Sequence, residues 1–167
     1  MKITDILDQA RVDYKVYPHE ETFDAQHLAA ALRVSGHNVA KTVLLRANGD
    51  FAHIVAVLPA SRTLDLGRVS KAFGGAEIRL ANEVEIAEHC PDCEFGILPP
   101  FGSKYDMKTV VDSSLAQHED VFFQGDVHTE AIRMRYSDFA NIEHPLVVDI
   151  ATSATDGLNA TPPTGTA

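Results

Sequence analysis

The chain has 167 residues, 45% hydrophobic and 23% charged, the size and composition of one domain whose core needs neither disulfide nor metal. Fourteen Lys and Arg against 24 Asp and Glu give a net charge of −10, which argues against a broad basic face for DNA or long RNA. It leaves room for a pocket that grips one end of a nucleic acid.

No apolar run approaches the roughly 20 residues of a membrane span. Met1-Lys2-Ile3-Thr4-Asp5 meets an acid too early for a signal peptide. Two cysteines do not make a secreted disulfide framework. The expectation is a cytoplasmic protein without a membrane partner.

In chain order, Thr4 can cap a helix to about Arg11, with Ile6, Leu7 and Ala10 on one face. Tyr14 to Tyr17 reads as a short strand stopped by Pro18. Asp24 can cap a second helix in which Ala25, Leu28, Ala29 and Leu32 recur at helical spacing. Lys41 to Ala47 and Phe51 to Leu58 are apolar strands. Asn48-Gly49 between them suits a type I′ hairpin, because both residues tolerate positive φ. Such continuous apolar runs predict a sheet covered on both faces.

Asp65 caps a helix to Phe73 that Gly74-Gly75 ends, and Glu77 to Leu80 is a short strand. Asn82-Glu83-Val84-Glu85 has capping-box form and opens a helix to about His89. Glu94 to Leu98 leads into the irregular Pro99-Pro100-Phe101-Gly102. Lys108 to Val111, Val121 to Phe123 and Ala131 to Tyr136 are further strands, and Ser137 caps a closing helical turn. This irregular alternation predicts an α+β fold with a mixed, partly closed sheet surrounded by helices. From Ala151 the chain is poor in apolar residues, so residues 1–150 are expected to form the domain and 151–167 a disordered tail.

Few residues announce chemistry alone. Cys90-Pro91-Asp92-Cys93 follows a predicted helix, whereas a redox pair gains its low thiol pKa at a helix N-terminus. No second pair completes a zinc site, so a structural turn is the simpler reading, and neither metal nor cofactor is expected. No G-x-S-x-G, Walker, H-E-x-x-H or dinucleotide glycine pattern is present. Asp112-Ser113-Ser114 reads first as a cap. The acidic Glu83, Glu85, Glu88, Asp92 and Glu94 read as a solvated face. His128 is a general-base candidate or an exposed histidine after a turn. Lys41, where a loop enters an apolar strand, is either a snorkelling edge lysine or a functional one.

Several segments taken together are more specific. Ala40-Lys41-Thr42-Val43-Leu44-Leu45, Val55 to Ala60 with Asp65, Cys93 to Gly102, Val111 to Leu115, and Asp120 through Gly125 to Ile132 stand in one order. In that order they resemble the YbaK-like aminoacyl-tRNA deacylases, the family that includes the editing insertion of bacterial prolyl-tRNA synthetase. The resemblance runs from about Tyr14 to Asp138. It implies the family's mixed-sheet fold, and hydrolysis of the ester that joins a wrong amino acid to tRNA. It places the family lysine on Lys41, the G-x-x-x-P loop on Gly96 to Pro100 and the late glycine on Gly125. His128 stands nearest to the histidine that follows that glycine in related members, with Asp126 and Val127 between. By the same resemblance Lys41, Gly96 and His128 are the catalytic candidates. Thr42, Ile97, Leu98, Pro99, Pro100, Gly102, Asp112 and Gly125 are the substrate-binding ones.

These residue types suit the reaction. An aminoacyl ester is already reactive, so the protein need only hold it, stabilise the oxyanion and aim a water. Removing one oxyanion donor typically costs about 10²–10³ in rate, so backbone N–H groups in a glycine-containing loop supply much of the effect. A lysine adds a fixed charge for the ester oxygen or terminal phosphate. Editing is needed because a synthetase pocket rejects a slightly smaller apolar side chain by only about 1–3 kcal/mol. The family precedent points to small amino acids such as alanine, cysteine or serine. The expected partners are the acceptor end of aminoacyl-tRNA and a synthetase. Three rivals stay open at this level: a non-catalytic module binding a tRNA end or synthetase, a hydrolase of another small ester, and a thiol redox protein.

Overall fold

The structure is a computed structural model that describes residues 2–48, 53–91, 94 and 97–153. The elements, in order, are α1 (Ile3–Ala10), β1 (Tyr14–Pro18), α2 (Ala25–Leu32), β2 (Ala40–Ala47), β3 (His53–Pro59), β4 (Arg62–Leu64), α3 (Leu66–Ala72), β5 (Ile78–Leu80) and α4 (Glu83–His89). They continue with β6 (Lys108–Asp112), β7 (Asp120–Gln124), β8 (Glu130–Arg135), α5 (Tyr136–Glu143), β9 (Leu146–Val148) and β10 (Ala151–Ser153). Single 3₁₀ turns at Gly102–Tyr105 and Leu115–Gln117 flank β6.

A five-stranded sheet in the order β5-β2-β3-β6-β9 is the frame. β2 pairs antiparallel with β3 and β5, while β3–β6 and β6–β9 are parallel. A separate antiparallel sheet, β1-β8-β7, meets the frame through a parallel bridge between Val39 and Phe122, where Phe122 N–H donates to Asn38 O at 2.9 Å. That bridge half-closes the structure and brings the entrance of β2 beside the exit of β7. The fold is the expected mixed-sheet α+β arrangement.

The period-2 rule divides the central strands cleanly. Val55 and Val57 face a core with Ile3 and Leu7 of α1 and Phe139 of α5. Ile54 and Ala56 face a second core with Val69 of α3 and Ile150. Both sheet faces are therefore covered, which is why β3 carries no polar alternation. Phe101 packs edge-on against Phe123 at 5.8 Å and Phe139 at 5.2 Å, the favoured geometry for ring quadrupoles.

The predicted caps Asp24, Asp65 and Asn82 each accept the N–H three residues on, from His27, Arg68 and Glu85. Two helix starts differ. α1 begins at Ile3 rather than after Thr4, because the Asp5 carboxylate reaches back to the Lys2 N–H at 3.0 Å and Ile3 is needed in the core. α5 begins at Tyr136, one residue before the expected Ser137 cap. The expected Asn48-Gly49 turn falls partly on Gly49, outside the described residues.

The tail boundary also moves. Ala151–Ser153 is a strand, paired antiparallel with β4. Buried Ala151 is held there by hydrogen bonds: its N–H donates to Asp112 Oδ1 at 3.1 Å and Arg68 donates to its carbonyl at 2.9 Å. Residues 154–167 lie outside the described residues.

Candidate active site

Where β2 enters the frame, a cavity of about 250 Å³ opens between the strand, α2 and the segment that follows α4. Its apolar wall comes from Leu28, Ala40, Val43, Ile97 and Leu98, and its polar groups from Asp24, Lys41, Thr42, Gln124 and His128. An apolar wall with a few convergent polar groups is the usual form of a small-ligand site.

Lys41 pairs with Leu58 across the hairpin and is half-buried. Burial pushes its ammonium below the ordinary lysine value, and the charge of Asp24 partly opposes this. Asp24 is itself fixed as the cap of α2, accepting the His27 N–H at 2.7 Å with His27 Nδ1 at 2.5 Å. The His27 N–H bond is the chief cause that holds the Asp24 carboxyl below the usual carboxylate range.

His128 is buried, with three chain segments converging on it. Its Nδ1 donates to Thr22 O at 2.9 Å, and since a carbonyl only accepts, this nitrogen carries the proton. In the neutral ring Nε2 is then the acceptor. The backbone is held as firmly: His128 N–H donates to Glu94 Oε2 at 2.9 Å, and Thr22 N–H donates to His128 O at 3.2 Å. Gln124 ties the loop from behind, donating to Val127 O at 2.5 Å and Glu130 O at 2.8 Å while accepting from the Thr22 hydroxyl at 3.3 Å.

The cavity brings together Lys41, Thr42, Ile97, Leu98 and His128 from the residues singled out in the sequence. Gly96 lies outside the described residues. The other expected ligand-binding residues sit elsewhere. Pro99 and Pro100 are buried but are not among the described residues lining the cavity. Gly102 is packed in the core: a Cβ there would stand 2.4 Å from Thr109 Oγ1 and 2.8 Å from Met107 O. Asp112 accepts the N–H groups of Ile150 (2.9 Å), Ala151 (3.1 Å) and Ser114 (3.2 Å) together with the Ser114 hydroxyl. It closes the C-terminal crossing of the chain and is not among the described residues lining the cavity. Gly125 forms the β7–β8 turn, its N–H on Glu130 O at 2.8 Å.

Sequence reasoning missed Thr22, Phe23, Gln124 and Glu94. Thr22-Phe23-Asp24 carried a usable signal, an aromatic just before a helix cap. Glu94 and Gln124 are ordinary polar residues whose roles exist only in three dimensions. Cys90 is buried, its Sγ 2.8 Å from Tyr105 Oη, and Cys93 lies outside the described residues.

Fold and cavity define a small-ligand site in a mixed-sheet α+β domain, and comparison with known proteins gives its family. The aminoacyl-tRNA editing domain family matches residues 19–142. The multifunctional Ser/Thr-tRNA deacylase ProXp-y of Escherichia coli K12 is 25% identical over 152 residues, covering 89% of this chain and 90% of that protein. The crystal structure of a candidate trans-editing enzyme for prolyl-tRNA synthetase shares the fold, with TM-score 0.77 and 18% identity over 90% of this chain and 95% of that one. A hypothetical protein's crystal structure superposes with TM-score 0.80 and 19% identity, over 90% and 99%. The chain belongs to the aminoacyl-tRNA editing domain family, since the family match covers well over half of it. It is accordingly an aminoacyl-tRNA deacylase: it binds tRNA and hydrolyses the ester of a mischarged amino acid.

Proposed function

We propose that the protein acts in trans in the cytoplasm, removing a small amino acid from the acceptor end of mischarged tRNA, with Lys41 and His128 as catalytic residues. The observation that carries the reading is a cavity of about 250 Å³, below the usual range of drug-sized ligand sites, holding a half-buried lysine and a tethered histidine. The name of the Escherichia coli relative puts serine and threonine first among the candidates. Thr42 supplies a hydroxyl in the wall for a hydroxyl-bearing side chain.

In this mechanism a water attacks the ester carbonyl. His128 Nε2 takes the proton of that water directly or through the neighbouring ribose hydroxyl, and later returns it to the departing ribose oxygen. The carbonyl oxygen becomes an oxyanion. The Lys41 ammonium stabilises it, in a half-dry setting where a charge acts more strongly than in water. The Leu98 N–H, on the cavity wall, is the backbone donor that completes the oxyanion site. The ester supplies its own leaving group, so no covalent nucleophile is used.

A synthetase that delivers the tRNA fits this reading, because an acidic chain has few cations with which to grip the whole molecule. The deciding experiment is a deacylation assay across tRNAs charged with serine, threonine, alanine and cysteine. Rapid release of one or two of them, and loss of that release in Lys41→Ala, is the expected result. Equal release by wild type and a folded Lys41→Ala protein removes the assignment.

A further inference from the structure

Phe23 is the feature the reaction has not used. It lines the cavity and immediately precedes the Asp24 cap of α2, yet it is 71% exposed, more than any other large hydrophobic side chain among the described residues. A phenylalanine left in water forgoes the gain of burial, and although this is the position before the cap where a hydrophobic staple can sit, a stapled ring would be covered by the helix and this one is not. Its backbone is well anchored. On one side Thr22 is buried and bonded to the His128 loop; on the other Asp24 holds the first turn of α2. One end of its ring packs on His128, with centroids 4.7 Å apart and planes at 48°. The side chain thus stands on a fixed base at the mouth of the cavity with most of its surface open.

The charges around it are one-sided. Glu20, Glu21 and Asp24 surround the outer side of Phe23, while Lys41 lies on the cavity side. Phosphates are repelled from the outer side; a neutral aromatic is not. If the ester carbonyl sits between Lys41 and His128, the ribose that carries it fills the mouth of the cavity. The base on that ribose then emerges where Phe23 stands.

We propose that Phe23 is the stacking platform for the terminal nucleobase of the tRNA substrate, a binding residue that recognises the nucleoside on the ester and not the amino acid. This rests on the proposed placement of the ester beside Lys41 and His128. A stacked base contributes about 1–3 kcal/mol by alanine substitution, whichever base it is. The contact favours an aminoacyl nucleoside over a free amino acid ester by the binding energy of one stacked base.

The test compares Phe23→Ala, Phe23→Leu and Phe23→Trp on two substrates, seryl- or threonyl-tRNA and the methyl ester of the same amino acid. Phe23→Ala should raise KM for tRNA about tenfold, the loss of one stacked base. Phe23→Leu should do the same, because it keeps apolar packing on His128 but has no ring face, and Phe23→Trp should stay near wild type. For Ala and Leu the loss in kcat/KM on tRNA should exceed any loss on the methyl ester by about tenfold, and the pH profile of kcat should keep its shape. An unchanged KM for tRNA in Phe23→Ala overturns the platform and leaves the deacylase reading intact. So does a full rescue by Leu, or an equal loss on both substrates, since each means that Phe23 only braces His128. Wild-type protein inactive on every mischarged tRNA overturns both.

Discussion

Asp112 and Lys41 are both ionisable side chains drawn into the interior at strand ends, and both fall on segments that carry the family resemblance. Their surroundings separate them. Asp112 is 1% exposed and both carboxylate oxygens are occupied by protein donors, so it has no capacity left for a ligand. Lys41 is half-buried against a cavity, its ammonium destabilised by burial and offset only in part by Asp24. A charge whose partners are complete belongs to the scaffold. A charge that the fold desolvates and leaves facing empty space is held for something that binds there.

The largest expected effect is on activity at Lys41. Lys41→Met should reduce kcat/KM for mischarged tRNA by at least about 10²–10³, the scale of a lost oxyanion donor. It should not lower Tm, because it removes a charge the fold holds at a cost. The sign can be tested with pH. The folded-state pKa of Lys41 lies below its unfolded value, so between the two the unfolded chain binds more protons and wild-type stability rises with pH. The stability advantage of Lys41→Met should therefore shrink as pH rises from neutrality through the lowered Lys41 pKa toward 10.5. Urea midpoints at several pH values measure this. A Met variant that is less stable at pH 7 would mean that Lys41, like Asp112, belongs to the scaffold.

The converse holds at Asp112. Asp112→Ala strips the buried N–H groups of Ile150 and Ala151, and the half-buried one of Ser114, of their acceptor, and each buried orphan donor costs about 1–3 kcal/mol. A total loss of about 3 kcal/mol or more by denaturant unfolding is expected. The fraction that remains folded should deacylate at the wild-type rate. A selective loss of kcat in a stable Asp112→Ala protein would return Asp112 to the substrate.

Between these extremes stands Glu94, which lies two residues before Gly96 and accepts the His128 N–H. Glu94→Ala should lower kcat about tenfold with little change in KM, by loosening the histidine. Glu94→Gln keeps an acceptor oxygen and should recover most of the loss. Failure of Gln to rescue would assign the effect to the carboxylate charge and not to positioning.

Local rules made much of this fold legible. Helix caps at Asp24, Asp65 and Asn82 and the apolar runs of β2 and β3 follow from side-chain chemistry within a few residues. β4, β9 and β10 were not read from the sequence: three residues show no period, and only β5, set between the Gly74-Gly75 stop and the Asn82 cap, had flanking signals to mark it. The site divides in the same way. Lys41 and His128 stood out by residue type and resemblance. Resemblance could not tell Thr42, which lines the cavity, from Gly102, which is required because Thr109 and Met107 leave no room for a Cβ. Gln124 was invisible, since its role is to close a loop whose carbonyls converge only after β7 and β8 pair.

The smallest expected effect lies at the C-terminal end, and two truncations divide it. Ending the chain after Ile150 removes the β10–β4 pairing, the Ala151 N–H on Asp112 and the Ala151 carbonyl that Arg68 binds. A loss of about 1–2 kcal/mol is expected, which for a domain of this size lowers Tm by about 2–8 °C. Ending it after Ser153 keeps all three contacts. Residues 154–167 are mostly Thr, Ala, Gly and Pro with a single Leu, so they have little apolar surface to bury. Their removal should shift Tm by no more than about 1 °C and leave kcat/KM unchanged. Calorimetry on the two truncations, side by side, measures the difference. If both fall equally, the anchoring extends past Ser153; if neither falls, Ile150 alone is enough to hold Asp112.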